Sequence, residues 1–97
     1  MADEKFSGKI TEIDFGCTYD AYCSLVVDKI RHVNFGEGLS DDEEEPWGKA
    51  YFDDWYDEKK YIGKKVEVYA AKEPGNPRQK LQGYTLRGKS EYYIKII

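Results

Sequence analysis

Phe6-Ser-Gly-Lys-Ile-Thr-Glu-Ile-Asp-Phe15 holds two alternations in one run. Phe6, Gly8 and Ile10 share one phase, and Thr11, Ile13 and Phe15 share the other. Side chains on a strand point alternately to its two faces, so a change of phase predicts a bulge or a strong bend. A long, bent first strand is what a small closed barrel needs in order to join two regions of one sheet.

Working outward, Gly16 to Asp20 reads as a loop and Ala21 to Asp28 as the second strand. Cys23, Leu25 and Val27 make one face of that strand, with Tyr22, Ser24 and Val26 on the other. Asp28-Lys29 is a tight turn into a third strand, Ile30 to Phe35. Gly36 to Pro46 then breaks the pattern: Asp41 to Glu45 are consecutive acids that repel one another, which predicts an exposed acidic loop over 37–46. Trp47 to Phe52 reads as a short strand or an extended entry to a helix.

The spacing predicts a helix over 53–62. Asp53 or Asp54 caps it, and Phe52, Trp55, Tyr56 and Ile62 fall on one side. Gly63 supplies the left-handed residue that ends it. Val66 to Ala71 is a strand with Val66, Val68 and Ala70 inward, and Glu73 to Pro77 is a turn-rich loop. Leu81 to Leu86 and Tyr92 to Ile97 are the last strands. The 97 residues contain no repeat and no linker, so 1–97 is expected to be one domain.

Three strands, an acidic insertion, one helix and two or three further strands form a layout that resembles the OB-fold. The resemblance is carried by Phe6-Ser-Gly-Lys-Ile-Thr-Glu-Ile13, by the helix ending at Ile62-Gly63, and by Lys65-Val-Glu-Val-Tyr69. It implies a mostly β fold: a small five- to six-stranded OB-like barrel with one short α-helix. An SH3-like or other small barrel is the alternative. The OB resemblance further implies that the face of strands two and three, with two flanking loops, contacts oligonucleotides.

Charge is unevenly spread along the chain. Residues 1–58 carry five Lys or Arg against sixteen Asp or Glu, a net of −11, and residues 59–97 carry ten against three, a net of +7. Such asymmetry marks a basic surface, an acidic one or both, unless the halves neutralise each other in the fold.

Catalytic chemistry finds little to work with. His32 is the only histidine and stands beside no nucleophile motif, so no enzyme is expected. Gly36-Glu37-Gly38 completes neither a dinucleotide fingerprint nor a phosphate loop. Cys17, Cys23 and His32 make too few soft ligands for structural zinc, and 41–45 lacks the alternating ligands of an EF-hand, so neither metal nor cofactor is expected. No apolar run approaches the roughly 20 residues that span a bilayer, and the N-terminal Met-Ala-Asp-Glu-Lys-Phe has no apolar signal region. The expected compartment is cytoplasmic, where Cys17 and Cys23 would be free thiols.

Two binding functions remain. Aromatic rings beside bases suit single-stranded nucleic acid, which stacks on rings and is held through its phosphates. The candidates are Tyr19, Tyr22, Arg31 and Phe35, with Arg78, Lys80, Arg87 and Lys89 in later loops. The alternative is an acidic module that docks on a basic protein and imitates a nucleic-acid backbone, through Asp41, Asp42, Glu43, Glu44, Glu45, Trp47, Asp53 and Asp54. Small acidic inhibitors made by phages and mobile elements, including anti-restriction and anti-CRISPR proteins, are similar in size and charge.

Overall fold

The change of phase in the first strand becomes a bulge. In this computed structural model, which describes residues 2–15, 22–40, 43–46, 49–52, 57–76 and 80–97, β1 (Asp3–Asp14) shifts register between Ile10 and Glu12. Before the bulge it pairs antiparallel with β6 (Lys65–Asn76), Asp3 opposite Ala71 and Lys9 opposite Lys65. On either side of the shift, Ile10 and then Glu12 to Asp14 pair antiparallel with β2 (Tyr22–Val27). The Ile10 N–H donates to the Lys64 carbonyl at 2.9 Å, and the Gly63 N–H donates to the Ile10 carbonyl at 2.7 Å. The bulge therefore also holds the segment that leads into β6.

Asp28 and Lys29 both adopt positive φ, 53° and 62°, the conformation of a type I′ turn. Neither is glycine, and contacts to β1 hold the pair there. Asp28 donates its N–H to the Lys9 carbonyl and accepts the Lys9 N–H on Oδ1, while Lys29 donates to Thr11 Oγ1. A side chain at Gly8 would collide with the Asp28 carboxylate, so the absent Cβ makes room for the clamp.

The turn leads into β3 (Arg31–Ser40), which pairs antiparallel with β2 and parallel with β7 (Leu81–Thr85). β7 returns antiparallel on β6, so β1-β2-β3-β7-β6 closes on itself as a five-stranded barrel. The helix α1 (Glu58–Tyr61) lies in sequence between β3 and β6. This is the expected OB-like layout. β8 (Tyr93–Ile96) adds to the far edge of β6, and β5 (Lys49–Ala50) lies parallel on β8.

Ile10, Leu25, Val27, Val33, Val66 and Val68 of the barrel strands form one core cluster with Ile94 of β8, and all are sealed from solvent. One end is closed by Phe15, Phe35, Phe52 and Tyr61, whose rings meet at 5.0–6.2 Å, mostly edge to face. At the other end Phe6 packs on Tyr84 at 4.7 Å.

Several expectations need correction. Glu37 to Ser40 continue β3, and β4 (Glu43–Pro46) returns beside them as a hairpin arm instead of an exposed loop. Pro46 is tolerated because β4 pairs with β3 alone among the described strands. β6 runs through Pro74 and Gly75 to Asn76, because a register shift between Glu73 and Asn76 absorbs them. The helix side facing the core is marked by Tyr61, which is buried, while Ile62 is exposed. The predicted cap residues Asp53 and Asp54 lie outside the described residues, and Asp57 stands at the N-cap of α1. Gly63 does take positive φ, 87°. Cys23 is disulfide-bonded, contrary to the expected free thiol, and the chain's other cysteine is Cys17. No helix among the described residues is long and apolar enough to cross a membrane.

Candidate nucleic-acid interface

β6 stands between β1 and β8, and the inward phase of this trio, Val66, Val68 and Ile94, is fully buried. The opposite phase therefore forms an outer face. Lys5, Tyr69 and Tyr93 occupy one cross-strand row, Ser7, Glu67 and Lys95 the next, and Lys9 lies beside Lys65. Side chains in such a row sit close enough to touch. The Tyr69 and Tyr93 ring centres are 5.9 Å apart, and the Lys5 ammonium lies 5.5 Å from the first and 5.9 Å from the second. Tyr92 meets Tyr69 edge-on at 5.2 Å, and Lys89 lies 5.7 Å from the Tyr92 ring.

Asp3 organises this face. It accepts from Lys89 Nζ at 2.8 Å, from Tyr92 OH at 2.6 Å and from Tyr69 OH at 3.0 Å. Those donors, Lys89 foremost, lower its pKa from 3.8 to about 2. In return, the hydrogen bond to Asp3 raises the pKa of Lys89, Tyr69 and Tyr92. Tyr93 donates to Glu67 Oε2 at 2.7 Å, which raises its own pKa. The phenols are thus neutral and oriented. The exposed Lys5, Lys9, Lys65, Lys89 and Lys95 outnumber the acids Asp3, Glu67 and Glu91 around them.

The outer face of β1, β2 and β3 has the opposite character. Glu12, Val26 and His32 form one row there, and Asp14, Ser24 and Asn34 the next. Glu12, Asp14, Ser24, Val26 and His32 border a groove of about 670 Å³ with Glu58, Ile62 and Leu81. Asn34 donates to Glu73 Oε1 at 2.8 Å. Burial lowers the His32 pKa, against the raising effect of Glu73 and Glu12.

The predicted contact residues scatter. Phe35 is fully buried, packed against Phe15 and Phe52, and no base can reach it. Arg31 points along the inward phase at the barrel end, its guanidinium 4.8 Å from the Phe6 ring. Lys80 is exposed in the turn between β6 and β7, and Arg87 is exposed in the turn after β7. Lys89 alone joins the aromatic face. Tyr22 and Glu43, Glu44 and Glu45 are placed by backbone on β2 and β4. Tyr19, Asp41, Asp42, Trp47, Asp53, Asp54 and Arg78 lie outside the described residues.

The sequence alone does not single out Lys5, Tyr69, Tyr93 and Lys95, although their signal is there. Lys5-Phe-Ser-Gly-Lys9, Lys65-Val-Glu-Val-Tyr69 and Tyr93-Ile-Lys95 each place polar or aromatic side chains opposite an apolar phase. What alternation withholds is that these strands are neighbours. No protein-family model, no curated protein and no solved structure matches the chain.

Proposed function

We propose that this chain is a non-enzymatic binding module, a member of the OB-fold superfamily, that contacts single-stranded nucleic acid on the outer face of β1, β6 and β8. The observation that carries the reading is the row Lys5, Tyr69 and Tyr93. It sets two phenol rings beside an ammonium, among four further lysines. Bases stack on such rings regardless of sequence, and lysines neutralise the phosphates between them. This moves the contact away from the face of strands two and three, where the OB resemblance put it. Glu12, Asp14 and Glu58 would repel phosphates there.

The test is fluorescence anisotropy with labelled oligo-dT of about ten nucleotides, a length within OB site sizes, at about 50 and about 200 mM salt. Binding should weaken steeply between the two. Tyr93→Ala should cost about 1–3 kcal/mol of binding, the usual worth of one stacked base. Absence of binding at the lower salt would overturn the proposal.

A second reading has the acidic groove between β1, β2 and β3 receive a basic protein. It is favoured by the apolar Val26 and Leu81 that line the groove together with Glu12, Asp14 and Glu58. Its test is whether Glu12→Gln with Asp14→Asn abolishes capture of a basic partner, and undiminished capture would refute it.

A further inference from the structure

The aromatic face ends in a cleft of about 320 Å³, at the lower end of the volumes that hold small ligands. β5 runs parallel to β8, with Lys49 beside Tyr93 and Ala50 beside Ile94, and so carries Tyr51 to the level of Lys95. Tyr51 and Tyr93 both line the cleft, together with Glu67, Glu91 and Lys95. Tyr51 is 44% exposed. Tyr93 is steadied by its hydrogen bond to Glu67 Oε2. Glu91, just before β8, and Lys95 on it are both exposed.

We propose that this cleft takes one unpaired guanine of the strand bound on the neighbouring rings. The inference rests on the single-strand reading above and adds base preference to it. Phenol faces accept any base, so the polar groups decide which one is favoured. A carboxylate is a pure acceptor with two oxygens side by side. Guanine is the one common base with two adjacent donors, N1–H and the N2 amine, on its pairing edge, and its O6 acceptor lies next to them. Glu91 accepts both donors while Lys95 donates to O6. Adenine and cytosine place an acceptor beside their amine, and thymine and uracil flank a single donor with two acceptors. Each of these turns a lone pair toward the carboxylate, which costs the bidentate match. Glu67 is the weaker reader because one of its oxygens already accepts from Tyr93.

The test uses the whole chain and labelled oligo-dT with a single central dG, deoxyinosine, dA or dC. Deoxyinosine keeps N1–H and O6 and lacks only the N2 amine. The dG strand should bind at least about fivefold tighter than the deoxyinosine strand, the low end of what one bidentate base contact discriminates. Glu91→Gln should bring that ratio close to one, and a general loss of affinity would leave the ratio unmoved. Equal binding of all the strands, with oligo-dT still bound in a salt-dependent way, overturns the guanine cleft and leaves the aromatic platform standing. Failure of every strand to bind overturns both.

Discussion

Asp3 joins the start of β1 to β6 and to the segment before β8 through Tyr69, Tyr92 and Lys89. Its folded pKa of about 2 lies below the ordinary 3.8, so folding favours the charged form. That contribution is complete above about pH 4 and is lost as pH falls through about 2. Asp3→Asn should therefore melt below the parent chain at neutral pH, and the gap should narrow between about pH 4 and pH 2. A gap that stays constant across that range would show that the carboxylate charge contributes nothing. Gly83 offers a second residue-scale test. A Cβ there would stand 2.7 Å from the Pro74 carbonyl oxygen and 2.9 Å from that of Glu73, both backbone atoms that cannot turn aside. Gly83→Ala should cost about 1–3 kcal/mol, read from the urea midpoint, as overpacking does elsewhere.

β8 lies outside the closed ring, yet it is built into the core. Ile94 is fully buried and Ile97, just beyond the strand, is 55% exposed. Ile94→Ala should cost about 2–5 kcal/mol, while Ile97→Ala should stay within about 0.5 kcal/mol. Equal effects in denaturant melts would mean that β8 merely rests on β6. Local pattern carries the elements that depend on near neighbours. The phase change at Ile10 and Thr11 gives the bulge, Asp28-Lys29 the turn, and the alternation of Val66, Val68 and Ala70 the inner face of β6. It misleads where the chain is stabilised by a distant partner. Acids over 43–45 pair with the end of β3, and Pro74-Gly75 rides in a bulge opposite β7. The interface suffers most, because its rows join residues about sixty positions apart, such as Lys5 and Tyr69. The second and third strands show their apolar phases plainly, but the OB layout put Arg31 and Phe35 on the contact face, whereas Phe35 is buried and Arg31 shares its phase.

Folding sorts the charge of the two halves of the chain. Glu12, Asp14 and Glu58 from the acidic half border the groove on β1, β2 and β3. Lys65, Lys89 and Lys95 from the basic half join Lys5 and Lys9 on the aromatic face. The net charge of −4 by itself would oppose binding to a polyanion. Distance decides otherwise. The molecule measures 31 × 29 × 29 Å, and at physiological salt the screening length is about 8 Å. A strand lying on the lysines responds chiefly to the charges beneath it, because exposed carboxylates more than a screening length away are largely screened. Glu12→Gln with Asp14→Asn should therefore change oligo-dT affinity by less than about twofold at about 0.15 M salt. Lys5→Ala with Lys95→Ala should weaken binding and flatten the plot of log affinity against log salt by about 0.7 for each phosphate left without its lysine. A slope that responds to the acidic pair and ignores the lysine pair would place the strand on β1, β2 and β3 instead.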